Sequence, residues 1–156
     1  MKHTAMAALR TYVEPAFRRP DYVQAAALCT RKGDAGLEVL LISNPSRKRW
    51  ILPKGWPMRG KTLAEAALTE AWEEAGVLGT VAPDSIGEYR YRKEIKGGIP
   101  ITSRCEVFHV AVTGMAEDFP EKGRRAVEWV TPAEALRRVT EPELLTLLDD
   151  VLPEMA

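Results

Sequence analysis

The chain has 156 residues, 46% of them hydrophobic, with 22 basic and 22 acidic side chains. That length supports about one domain with a substantial buried core, and the balanced charge excludes a global basic field for nucleic acid. Apolar stretches such as Glu38 to Ser43 are strand-sized and fall short of the roughly 20 residues a membrane span needs. Any anion site must therefore be local. Met1 to Arg10 lacks the sustained apolar core of an export signal, so the expectation is a cytoplasmic protein. Cys29 and Cys105 sit in apolar segments without metal-ligand spacing and read as reduced core thiols with no disulfide partner.

Residues 1–20 mix charges with Pro15 and Pro20 and read as an N-terminal arm, in which Arg18 and Arg19 are candidate ligand contacts. A single domain is expected over residues 21–152, with 153–156 as a tail. Tyr22 to Thr30 and Leu37 to Ile42 are apolar runs joined by turn chemistry at Lys32 to Gly36, which predicts a hairpin of buried strands. Asn44 to Arg49 is a basic loop, and Trp50 to Leu52 a short strand ended by Pro53 and Gly55. Thr62 to Ala75 contains no Gly or Pro; Thr62 with Glu65 matches a capping box, and Gly76 stands where a left-handed cap belongs. Strands follow at Ile86 to Arg92 and Thr102 to Val112, then one at Ala126 to Val130. Pro132 opens a helix to about Val139, and Glu143 to Val151 forms the last. The order predicts an α+β fold, a mixed sheet with helices on both faces.

At about 100° per residue, Glu70, Glu73 and Glu74 share one face of the central helix. No Lys or Arg lies three or four residues away to answer them, so their neutralisation must come from elsewhere. The same wheel predicts that Ala66 and Ala67 leave open space above the carboxylates, while Leu68, Ala71 and Ala75 face the core with Trp72 at the margin. A hard divalent cation suits three carboxylates and a phosphorylated ligand. Read alone, the segment fits an ordinary solvated acidic face equally well.

The row GWPMRGKTLAEAALTEAWEEAGV, Gly55 to Val77, resembles the Nudix box. Gly55, Glu70, Ala71, Glu73, Glu74, Gly76 and Val77 stand where that pattern requires them; Lys61 replaces its first glutamate and Thr69 its arginine. The preceding Trp50, Leu52, Pro53, Lys54 and Gly55 are similar to the segment that introduces the box in many members. The resemblance implies an αβα sandwich and Mg2+-dependent (or Mn2+-dependent) attack of water on the phosphorus of a pyrophosphate linkage. By the same resemblance Glu70, Glu73 and Glu74 are metal ligands, with the Gly55 carbonyl as a further candidate. Glu70 or Glu74 is the candidate proton acceptor; Glu106, Asp118 and Glu121 are further candidates set against surface roles.

Substrate contacts are expected from local cations: Arg18, Arg49, Lys54, Lys61, Arg90 and Arg92. Further cations cluster at Arg47 and Lys48, at Lys93, and at Lys122, Arg124 and Arg125. Strand alternation puts Glu88, Arg90 and Arg92 on one face and Tyr89 and Tyr91 on the other. His109 reads as a satisfied strand residue. The flanks are also similar to the branch acting on diphosphoinositol polyphosphates and diadenosine polyphosphates, implying a small phosphorylated substrate. The two departures from the box keep open a second reading, a binding or regulatory module with little turnover.

Overall fold

The computed structural model describes residues 22–95 and 98–156. The N-terminal arm with Arg18 and Arg19 lies outside those residues, as do Lys96 and Gly97. Strand β1 (Tyr22–Gly33) pairs with β2 (Gly36–Ser43) as the expected antiparallel hairpin, closing at Gly33 and Gly36. Two short strands follow, β3 (Trp50–Ile51) and β4 (Lys54–Gly55), then helix α1 (Leu63–Ala75), β5 (Val77–Ile95), β6 (Ile99–Met115) and β7 (Val127–Val130). Helices α2 (Pro132–Arg138) and α3 (Pro142–Met155) complete the described chain. The end therefore differs from expectation: α3 runs on through Pro153 to Met155, so residues 153–155 are helical rather than a tail.

The seven strands form one mixed sheet in the order β3-β2-β1-β6-β5, with β4 added to β1 and β7 to β2. The β1–β6 pairing is parallel and the others are antiparallel. Alternation along the central strands divides the core in two. Ala25, Ala27, Cys29, Leu40, Ile42, Phe108 and Val110 face α1; Ala26, Leu28, Val39, Leu41, Tyr89, Cys105 and Val107 face α3 through Leu144, Leu148 and Leu152. Both cysteines are buried and free.

Helix α1 has the ends its sequence announces. Thr62 and Glu65 form a reciprocal capping box, and Gly76 adopts φ 75°, ψ 18°. A Cβ at Gly76 would also collide with the Phe119 ring at 2.6 Å, so glycine serves both the turn and the close packing of the following loop. The helix meets the sheet through Ala64, Ala66, Ala67, Ala71 and Ala75, opposite Ala25 and Ala27. Small residues on both sides permit close approach. This corrects the helical-wheel expectation: Ala66 and Ala67 are fully buried in the core instead of leaving space above the carboxylates, and Leu68 lies only half-buried.

Candidate active site

The close approach of α1 carries its acidic face against the β4 turn. A Cβ at Gly55 would stand 2.1 Å from Cδ of Glu70, so the carboxylate occupies the place a side chain would fill. The backbone N–H of Lys54 donates to Glu74 Oε1 at 3.2 Å. Glu74 is 4% exposed, which the expected solvent-facing acidic surface did not foresee. Its countercharge comes from a loop far along the chain. Arg125 donates through one guanidinium nitrogen to Glu74 Oε2 and through the other to Glu121 Oε1, 2.8 Å away.

That loop is fastened to the C-terminal end of α1 by two backbone bonds. Ala116 N–H donates to the Gly76 carbonyl at 2.7 Å, and Glu121 N–H to the Glu73 carbonyl at 2.9 Å. Glu121 consequently joins the three helix glutamates, whereas Asp118 is exposed and Glu106 lies half-buried on β6 in register with Ala25. Burial, with the nearby charges of Glu73 and Glu121, holds the Glu70 carboxyl above its ordinary range. Burial pushes Glu74 up to about 8, outweighing Arg125, and the adjacent Glu70 adds to the rise.

Among the described residues no three acidic, histidine or cysteine side chains are already gathered as a metal cage. The donor set nonetheless fits a hard divalent ion: oxygen donors crowded with too little compensating charge, one of them seated in a glycine cradle. Glu70, Glu73 and Glu74 would hold it, with Glu121 at the margin.

On the opposite face of the sheet a cavity of about 630 Å³ is lined by Asn44, Arg49, Trp50, Lys54, Tyr91, Arg92 and Glu141, among others. The structure thus gathers three of the expected substrate cations, Arg49, Lys54 and Arg92, around one space. Lys54 Nζ donates to the Tyr91 hydroxyl at 2.9 Å and lies 4.5 Å from that ring's centroid; Tyr91 in turn donates to Gln24. Two expected contacts are not brought there. Arg90 is exposed and does not line the cavity, although alternation puts it on the same strand face as Arg92, which does. Lys61 turns to the outer side of α1, where Nζ donates to Thr69 Oγ1 at 2.8 Å. The two positions that depart from the box therefore touch each other. Thr69 also donates back to the Glu65 carbonyl at 3.0 Å. His109 Nε2 lies 2.7 Å from Thr30 Oγ1, a satisfied strand residue as expected.

A mixed sheet between helices, with an acidic helix seated on a glycine turn, defines a Nudix-type αβα sandwich. The chain belongs to the NUDIX family, whose domain model matches residues 21–151. It is 37% identical over 107 residues to Nudix hydrolase 12, mitochondrial, of Arabidopsis thaliana, covering 64% of this chain and 51% of that protein. It is 32% identical over 132 residues to diphosphoinositol polyphosphate phosphohydrolase 3-alpha of Mus musculus, covering 82% and 73%. The chain spans between 51% and 62% of the length of three Arabidopsis relatives it matches. Among solved structures, a C. elegans Ap4A hydrolase aligns with TM-score 0.62 at 20% identity, over 88% of this chain and all of that one. The NUDIX domain of Shewanella oneidensis NrtR, complexed with ADP ribose, aligns with TM-score 0.66 at 16% identity, over 96% and 98%. These likenesses are to hydrolases and to a ligand-binding domain of one fold. No described helix is long and apolar enough to cross a membrane.

Proposed function

We propose that this chain is a Mg2+-dependent hydrolase of a pyrophosphate linkage in a dinucleoside polyphosphate, nucleoside polyphosphate or diphosphoinositol polyphosphate. One observation carries the reading: Lys54–Gly55 joins the two halves of the site. The Lys54 main chain binds Glu74 and its neighbour Gly55 cradles Glu70, while the Lys54 side chain lies in the cation-lined cavity. Bound magnesium supplies phosphate charge neutralisation and an acidified water. Glu70, Glu73 and Glu74 hold and orient; Glu70 or Glu74 accepts the proton lost by the water, and Arg49, Lys54 and Arg92 bind phosphate oxygens through charge-assisted bonds.

Manganese is the alternative ion, since oxygen ligands serve both. A cytoplasmic location belongs to the same proposal and is tested by cell fractionation. The second reading, a binding module with little turnover, draws on Arg125 occupying Glu74 and on the Lys61 and Thr69 departures. A hydrolysis screen read by chromatography of the products, with and without magnesium, across dinucleoside polyphosphates, nucleotide sugars, nucleoside triphosphates and diphosphoinositol phosphates, together with a binding titration of each compound, decides between them. Magnesium-dependent release from a polyphosphate is expected; tight binding with no release from any compound would establish the binding module.

A further inference from the structure

The cation-lined cavity contains one feature that phosphate binding does not need. Glu141 occupies the N-cap position of α3, where a side chain normally accepts a backbone N–H, yet it makes no capping bond. Its carboxylate lines the cavity instead, and its nearest ion partner, Arg49 Nη1, is 4.0 Å away. Its side chain is 23% exposed and accepts no hydrogen bond from any described residue. Tyr89 also lines the cavity, and its buried hydroxyl has no hydrogen-bond partner among the described residues. A half-buried carboxylate facing three cations repels an incoming phosphate unless the ligand offers it a donor.

We propose that Glu141 is a specificity-determining residue that accepts a hydrogen bond from a free hydroxyl of the substrate's non-phosphate half. The cavity therefore favours a phosphorylated sugar that retains hydroxyls, as the ribose of a nucleoside polyphosphate does. It disfavours a ring on which every hydroxyl is esterified. The inference rests on the cavity being the substrate site of the hydrolase proposed above, and among the three substrate classes of that reading it selects the nucleotides over the inositol phosphates. An acceptor of this kind discriminates, because a ligand lacking the donor covers the carboxylate without giving it a hydrogen bond.

The test is equilibrium binding by calorimetry in metal-free buffer, so that turnover does not enter. The probes are ATP, 2′,3′-dideoxy-ATP and inositol hexakisphosphate, measured on the wild type and on Glu141→Gln and Glu141→Ala. The wild type should bind ATP about ten-fold more tightly than its dideoxy analogue, the scale of one hydrogen bond to a charged acceptor. Glu141→Ala should bind the two nucleotides equally, and both variants should bind inositol hexakisphosphate several-fold more tightly than the wild type does. Since Glu141 makes no cap bond, the variants should melt with the wild type, which separates a lost contact from a lost fold. Equal binding of ATP and dideoxy-ATP by the wild type would overturn the proposal. So would undetectable binding of every probe, or a Glu141→Ala that weakens all three alike. Hydrolysis plays no part in these outcomes, so their failure leaves the catalytic reading to its own assay.

Discussion

Replacing Arg125 with methionine removes the one cation that the described structure places against Glu74 while keeping an apolar stem of similar length. The two side chains are 9% and 5% exposed, so their contact is little screened by water. Removing one partner of a buried pair costs about 3 kcal/mol at the lower end of the usual range, appropriate here because Glu74 can escape part of the loss by taking up a proton. For a domain of this size that corresponds to a fall of about 6 to 12 °C in Tm. The same substitution frees Glu121 from the α1 cluster, so the 116–126 loop loses a side-chain tie but keeps its two backbone bonds. Magnesium offers the cluster an alternative positive charge and should raise the Tm of Arg125→Met by more than that of the wild type. Thermal unfolding of both proteins at about pH 9, where Glu74 is ionised against Arg125 in the wild type, in chelator and in excess magnesium, measures this. A Tm within about 2 °C of wild type in chelator, or an equal magnesium shift, would refute the assignment of Arg125 as the internal countercharge.

Because Lys61 and Thr69 touch, Thr69→Arg alone should destabilise by placing two cations together, whereas Lys61→Glu with Thr69→Arg should restore stability; denaturant unfolding of the double-mutant cycle should give a coupling of about 0.5 to 1 kcal/mol. Glu74 is raised from its ordinary 4.5 to about 8, so over that window the folded protein holds a proton that the unfolded chain has lost. In chelator, stability should therefore fall as pH rises through that window; a flat or rising urea-unfolding profile would contradict it. Gly55→Ala should displace the Glu70 carboxylate from its cradle and weaken the apparent magnesium affinity about ten-fold or more, read from rate against magnesium concentration, with the helix content of the circular dichroism spectrum unchanged.

Helix α1 was legible because every determinant is local: Thr62 and Glu65 at one end, Gly76 at the other, and an uninterrupted run of helix formers between. Its orientation was not. A wheel shows that Ala66, Ala67 and the glutamates lie near one another, but only the sheet, with Ala25 and Ala27 opposite, decides that the alanine stripe is buried and Glu74 with it. The partner of Glu74 is likewise non-local, 51 residues away on a loop whose path depends on Gly76 and Glu73 carbonyls. Strand β5 begins at Val77, nine residues before the expected Ile86. Gly79, Pro83 and Gly87 interrupt the alternation that identifies a strand, and irregular pairing between Leu78 and Gly87 absorbs them. The cation cavity was half legible. Local composition offered Arg49, Lys54 and Arg92 together with Arg90 and Lys61; the Thr69 hydroxyl holds Lys61 elsewhere, and only the placed cavity separates Arg92 from Arg90, which share a strand face.

The central claim is that Glu70, Glu73 and Glu74 hold a divalent ion at which water cleaves a phosphoanhydride. Hydrolysis of a diadenosine polyphosphate in 18O-labelled water, followed by mass spectrometry for the wild type and Glu73→Gln with magnesium or with excess chelator, tests it most directly. The account predicts 18O in a phosphate product of the wild type with magnesium only, and a rate at least about 100-fold lower in Glu73→Gln, whose Tm in chelator should be unchanged. Wild-type cleavage in excess chelator, or full activity in Glu73→Gln, would contradict it.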